Sequence, residues 1–107
     1  MKRALVLAAL VAAVIAPAAL AAPRVLAIHF TAEVNPITQD WLNGQLDRAK
    51  RDHFAAAVII LDTPGGLEDS MRKIVAKELE LSAAGVPVIV YVAPGGARAA
   101  SAGVWIS

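Results

Sequence analysis

The stretch Ala-Ala-Ala-Val-Ile-Ile-Leu-Asp, residues 55–62, limits the possible folds more than any other part of this 107-residue chain. It is apolar at consecutive positions, so both of its faces require cover, the pattern of a buried strand in a parallel sheet. A parallel strand cannot be joined to its neighbour by a hairpin and needs a crossover on each side, usually a helix. The flanking sequence supplies both. Asn35-Pro36 reads as an N-cap followed by proline at the first helical position, and Ile37, Trp41, Leu42, Leu46 and Ala49 then recur at helical spacing to about His53. After Thr63-Pro64-Gly65-Gly66, a second stripe runs through Leu67, Met71, Ile74, Val75 and Leu79. Glu68 and Asp69 occupy its first turn, where the helix dipole favours acid, and Gly85 stops it. Lys73, Lys77 and Glu80 fall largely on the opposite, solvated side. Two more apolar runs, Arg24–Phe30 and Val86–Val92, are the first and third strands. The order βαβαβ predicts an α/β fold with a parallel sheet and right-handed crossovers. Three strands apolar on both faces need more cover than two helices give, and a third helix is due where the sequence stops. The fold is therefore expected to be incomplete at its C-terminal end.

Residues 1–21 stand apart from this pattern. Lys2 and Arg3 precede an apolar run from Ala4 to Ile15, and Ala19-Leu20-Ala21 has the form of a cleavage site. This predicts a signal peptide at 1–21, the N-terminal part of a domain at 22–107, and export to a periplasmic or other extracytoplasmic space. The alternative is an uncleaved anchor, since Ala4 to Ala22 nearly suffices to span a bilayer. Setting residues 1–21 aside lowers Lys+Arg from 10 to 8 against nine acidic residues, so the slight basicity belongs to the leader. No basic stripe with interleaved aromatics remains, which argues against nucleic acid as a partner. The absence of cysteine excludes disulfides, thiol catalysis and thiolate metal sites. His29 and His53 have no metal-ligand spacing, so no metal is expected; His29 reads as a core or surface residue of a strand and His53 as the end of a helix.

In a parallel α/β sheet, ligands collect at the carboxyl ends of the strands. Both glycine-rich turns belong there: Asp-Thr-Pro-Gly-Gly (62–66) after the second strand, and Pro-Gly-Gly-Ala-Arg-Ala-Ala-Ser-Ala-Gly (94–103) after the third. Gly65 and Gly66 can bring backbone N–H groups close to a ligand and so form an oxyanion hole, in which one donor is worth about 3–4 kcal/mol of barrier. Ser101 would open the third helix, among residues small enough to admit a peptide backbone beside its hydroxyl. The plainer readings are a tight turn for the glycine pair and a helix N-cap for Ser101. Neither turn matches a dinucleotide or P-loop pattern, so no nucleotide cofactor is expected, and the Gly-x-Ser-x-Gly elbow is absent.

The paired motifs Leu-Asp-Thr-Pro-Gly-Gly (61–66) and Ala-Pro-Gly-Gly-Ala-Arg-Ala-Ala-Ser-Ala-Gly (93–103), with the opening from Val25 onward, resemble the NfeD-type membrane-associated serine proteases of the ClpP/crotonase superfamily. The resemblance covers essentially all of the chain after residue 21. It implies a ClpP/crotonase-like fold with Ser101 as nucleophile, Gly65 and Gly66 in the oxyanion hole, and Ala102 as a second N–H donor. Arg98, in the same loop, receives no role. The resemblance also implies a polypeptide substrate, hydrophobic segments of membrane proteins, and a membrane-proximal homo-oligomer. The family activates its serine with a lysine some forty residues further on, beyond position 107. Lys50, Lys73 and Lys77 lie on helices that run away from the strands' carboxyl ends, so the 107 residues alone are expected to be inert. Two other functions would use the same fold: a non-catalytic exported binding module, and a crotonase-like enzyme acting on an acyl thioester.

Overall fold

The computed structural model describes residues 22–107, so the leader at 1–21 lies outside the described residues. The elements are β1 (Val25–Thr31), α1 (Pro36–Arg51), β2 (Ala56–Asp62), α2 (Glu68–Ala83), β3 (Val88–Val92) and a short α3 (Ala102–Ile106). The strands form one parallel sheet in the order β1-β2-β3, with Ile28 beside Ile59 and Ile59 beside Val90. The α/β alternation expected from the sequence is thus present.

Local chemistry sets the helix ends. The Asn35 side chain accepts from the N–H groups of Ile37 and Thr38, and Thr38 Oγ1 accepts from the Asn35 N–H, each at 3.0 Å. This is a capping box with threonine in the place usual for Glu or Gln. At the other end Arg48, Lys50 and Arg51 meet the negative pole of the dipole, and His53 turns the chain at φ 55°. Helix α2 closes with Gly85 at φ 87°: the Gly85 N–H donates to Ser82 O, and the Val86 N–H donates to Leu81 O at 3.0 Å. These two bonds make a Schellman motif, with Val86 and Leu81 buried as its hydrophobic contact. Val86 is thereby committed to the helix end and Pro87 has no N–H, which is why β3 begins at Val88 and not at Val86.

The core lies between the helices and one sheet face. Ile28 and Phe30 of β1, Ala57, Ile59 and Leu61 of β2, Leu42, Leu46 and Ala49 of α1, and Met71, Ile74 and Leu81 of α2 are its buried members. Burying a side chain of this size contributes about 1.5–3 kcal/mol. Both helical stripes differ from the sequence reading. Ile37 is 81% exposed and Trp41 is also exposed, because they sit 100° or more round α1 from Leu42 and Leu46. Leu67 and Leu79 are exposed too, and Glu78 takes the inner position between Ile74 and Leu81. Burial pushes the Glu78 carboxyl up to about 8, and its Oε1 has no hydrogen-bond partner among the described residues. Lys77 is not simply solvated but bridges Asp47 of α1 (2.9 Å) and Glu80 (2.8 Å).

The other sheet face is open among the described residues. Val25, Ala27 and His29 of β1 and Ile89 and Tyr91 of β3 are exposed there, and Val58 and Ile60 of β2 are only partly covered. The two-sided burial expected of β2 is met on the helix side alone.

Candidate active site

Both glycine turns converge at the carboxyl end of β2. Asp62 ends that strand, and its Oδ1 accepts from the Arg98 N–H at 2.9 Å. Next comes Thr63, fully buried, whose N–H donates to Arg98 O (2.7 Å) and whose carbonyl accepts from the Ala100 N–H (3.2 Å). These bonds form a parallel bridge between Thr63 and Ala99 and carry the sheet past the last paired residues of β3. Thr63 Oγ1 also accepts from the Gly65 N–H at 3.1 Å. On its far side the turn is tied to the segment before α1: the Val34 N–H donates to Gly65 O (2.8 Å) and the Leu67 N–H to Val34 O (2.7 Å).

The contact between the turns leaves no room for side chains. A Cβ on Gly65 would lie 2.6 Å from Ser101 Cβ and 2.7 Å from Ala100 O, and one on Gly66 would run into the Val34 carbonyl. Their φ angles of 100° and 153° are in any case open only to glycine.

Ser101 is exposed and stands at the start of α3, but it makes no side-chain capping bond. Its backbone has φ 51° and ψ −117°. These are the angles of the first central residue of a type II′ turn, and the closing bond of that turn is present from the Gly103 N–H to Ala100 O at 2.8 Å. Glycine normally fills this position, and a non-glycine residue there costs of order 1–3 kcal/mol. The plain N-cap reading of Ser101 therefore does not describe it. A residue held in such a conformation stands on a sharp strand-to-helix turn, a geometry that also exposes the nucleophile of the α/β-hydrolases.

Ser101 opens onto a groove of about 740 Å³, lined also by Gly66, Ala102, Glu68, Met71, Arg72, Val75, Leu79 and Trp105. One end of the groove is thus built from the two turns, and the walls from α2 and α3. Trp105 is 72% and Leu79 66% exposed, so the groove has an apolar rim. Glu68 and Arg72 pair across one turn of α2 on its wall. Among the described residues the N–H groups of Gly66 and Ala102 make no backbone hydrogen bond, whereas that of Gly65 is taken by Thr63.

The structure thus brings Ser101, Gly65, Gly66 and Ala102 into one cluster. Arg98 contributes main-chain bonds to it, while its side chain is exposed and does not line the groove. His29 lies on the open sheet face and His53 at the end of α1, both away from the cluster. None of the three lysines on α1 and α2 lines the groove. Lys77 donates hydrogen bonds to the Glu80 and Asp47 carboxylates, which raise its pKa above the ordinary value, the wrong direction for a base. Among the described residues no group of three or more His, Asp or Glu is placed to hold a metal ion, and no helix is long and apolar enough to cross a membrane. Thr63 and Trp105 are not singled out by the sequence reading. Only the β-branched polar residue at the end of a buried strand offers a signal for the first, and nothing does for the second.

No family model matches the chain. It is 40% identical over 75 residues to a membrane-bound protease of Pyrococcus horikoshii, a match covering 70% of this chain and 16% of that protein. Among solved structures, a serine-to-alanine variant of a membrane-bound stomatin-specific protease superposes with a TM-score of 0.75 and 37% identity over 81% of this chain and 41% of that one. A lysine-to-alanine variant in complex with a substrate peptide gives 0.74 and 38% identity, over 81% of this chain and 38% of that one. The sheet, its helices and the order of elements are those of these ClpP-like folds. The chain spans less than half the length of each of these relatives. By sequence and by fold, the chain belongs with the NfeD-type membrane-bound proteases, of whose length it spans a part.

Proposed function

We propose that this chain carries the nucleophile and the oxyanion hole of a serine endopeptidase. The observation that carries the reading is Ser101, held at φ 51° and ψ −117° without a capping bond, at one end of a groove beside the Gly66 and Ala102 N–H groups, which make no backbone hydrogen bond among the described residues. Ser101 Oγ attacks the carbonyl carbon of a peptide bond while its proton passes to a base. The N–H groups of Gly66 and Ala102 stabilise the oxygen of the tetrahedral intermediate. Gly65 serves as the spacer that lets Ser101 approach. The intermediate expels the amine, which leaves with the proton, and water then hydrolyses the acyl-enzyme.

The base is a lysine about forty residues beyond Ser101. In support, the serine and the lysine replaced in the two solved variants lie about forty residues apart in their own chain. Without that lysine, residues 1–107 hydrolyse nothing. The apolar walls at Met71, Val75, Leu79 and Trp105 favour hydrophobic segments of membrane proteins as substrates. We place the protein outside the cytoplasm at the membrane surface, as a homo-oligomer, consistent with the membrane-bound relative and with residues 1–21 as an export signal. The test is hydrolysis of apolar peptides by the full-length protein. Cleavage by the parent, none by Ser101→Ala, none by residues 22–107 alone and no turnover of acyl thioesters is the expected result. Equal cleavage by parent and Ser101→Ala would overturn the reading.

A further inference from the structure

Four parts of one residue hold the two glycine turns together. Thr63 gives its N–H to Arg98 O and takes the Ala100 N–H on its carbonyl, at 2.7 and 3.2 Å. Its Oγ1 takes the Gly65 N–H at 3.1 Å. Its methyl fills the space above Gly103, where an added Cβ would lie 2.6 Å from Thr63 Cγ2. The main-chain pair would survive any substitution that keeps the backbone in place. The hydroxyl and the methyl would not, and each acts on a different turn. A β-branched side chain is stiff at χ1, so fixing the methyl against Gly103 also fixes the direction of the hydroxyl.

Building on the protease reading, we infer that Thr63 is the positioning residue of the oxyanion hole, its hydroxyl orienting the Gly65 peptide so that the next N–H, on Gly66, points to the reacting carbonyl. The Gly65 N–H is buried, and a buried donor takes whatever acceptor it can reach. With Thr63 Oγ1 as that acceptor, the turn at Pro64, Gly65 and Gly66 has one orientation. Without it, the Gly65 N–H is free to rotate toward the substrate oxygen or toward water, and the Gly66 N–H loses its aim. Removing one oxyanion donor lowers kcat by about 10²–10³-fold, and misdirecting one lowers it by part of that.

The experiment uses the full-length protein and three variants: Thr63→Val, which keeps the shape and the methyl but not the hydroxyl, Thr63→Ser, which keeps the hydroxyl, and Ser101→Ala. Rates of the parent and the two Thr63 variants are expressed per site titrated with a serine-directed phosphonate, so that loss of folded protein does not count as loss of rate, and that of Ser101→Ala per mole of protein. Thr63→Val is expected to lower kcat per titrated site by about tenfold or more with KM little changed, and Thr63→Ser to restore most of it. Amide hydrogen exchange at Gly65 is expected to be slow in the parent and in Thr63→Ser and fast in Thr63→Val, a readout that does not depend on catalysis. A purely structural role would reduce the number of titratable sites and leave kcat per site unchanged, which would overturn the inference, as would equal loss in Thr63→Ser and Thr63→Val. If Ser101→Ala keeps the parent rate, the protease reading itself fails and the inference falls with it.

Discussion

The turns after β2 and β3 share a Pro-Gly-Gly sequence but differ in what requires their glycines. At Gly65 and Gly66 a side chain has nowhere to go: Ser101, Ala100 and the Val34 carbonyl occupy the space. At Gly95 and Gly96 an added Cβ meets nothing within 4 Å, and only Gly96, at φ 88°, has a conformational need. The first pair is glycine because two pieces of backbone must touch, and the second because the chain must bend. Identical sequence fragments can thus be one part of a site and one part of a loop, and the difference lies in what the rest of the fold brings alongside.

Substitutions in the two turns measure that difference. Gly66→Ala should have the largest effect: the Cβ meets the Val34 carbonyl, the link between the turn and the segment before α1 breaks, and stability falls by more than about 4 kcal/mol in denaturant titration. Gly65→Ala follows, at about 2–4 kcal/mol, with peptide hydrolysis abolished because the new methyl displaces Ser101. Gly96→Ala should cost about 1 kcal/mol, the strain of a positive φ alone, and leave hydrolysis near the parent level. Gly95→Ala should stay within about 0.5 kcal/mol. A Gly96→Ala cost equal to that of Gly65→Ala would show that turn strain, and not close approach, dominates both sites, and the comparison would break.

The same contrast explains how much is legible in advance. Asn35-Pro36, Gly85 and the three apolar runs carry their structural meaning locally, through a cap, a positive φ and strand patterning, so the elements fall within one or two residues of where the sequence places them. Ser101 and the glycine pair are legible as a cluster because strand ends converge in a parallel sheet. What is not legible depends on orientation between elements. Helical spacing marks an apolar stripe wider than the face a neighbour covers, so Ile37 and Trp41 read as inward and are exposed, while Leu79 lines the groove and Glu78 sits inside. The engagement of the Gly65 N–H by Thr63 depends on a side-chain rotamer that no local pattern encodes.

The central claim is that Ser101 is a nucleophile. The most direct test is to treat the full-length protein with a serine-directed phosphonate and map the adduct by mass spectrometry. The account predicts a single adduct on Ser101 that is absent from the Ser101→Ala variant. An adduct on Ser70 or Ser82 instead, or peptide hydrolysis that proceeds with Ser101 unmodified under saturating reagent, would contradict it.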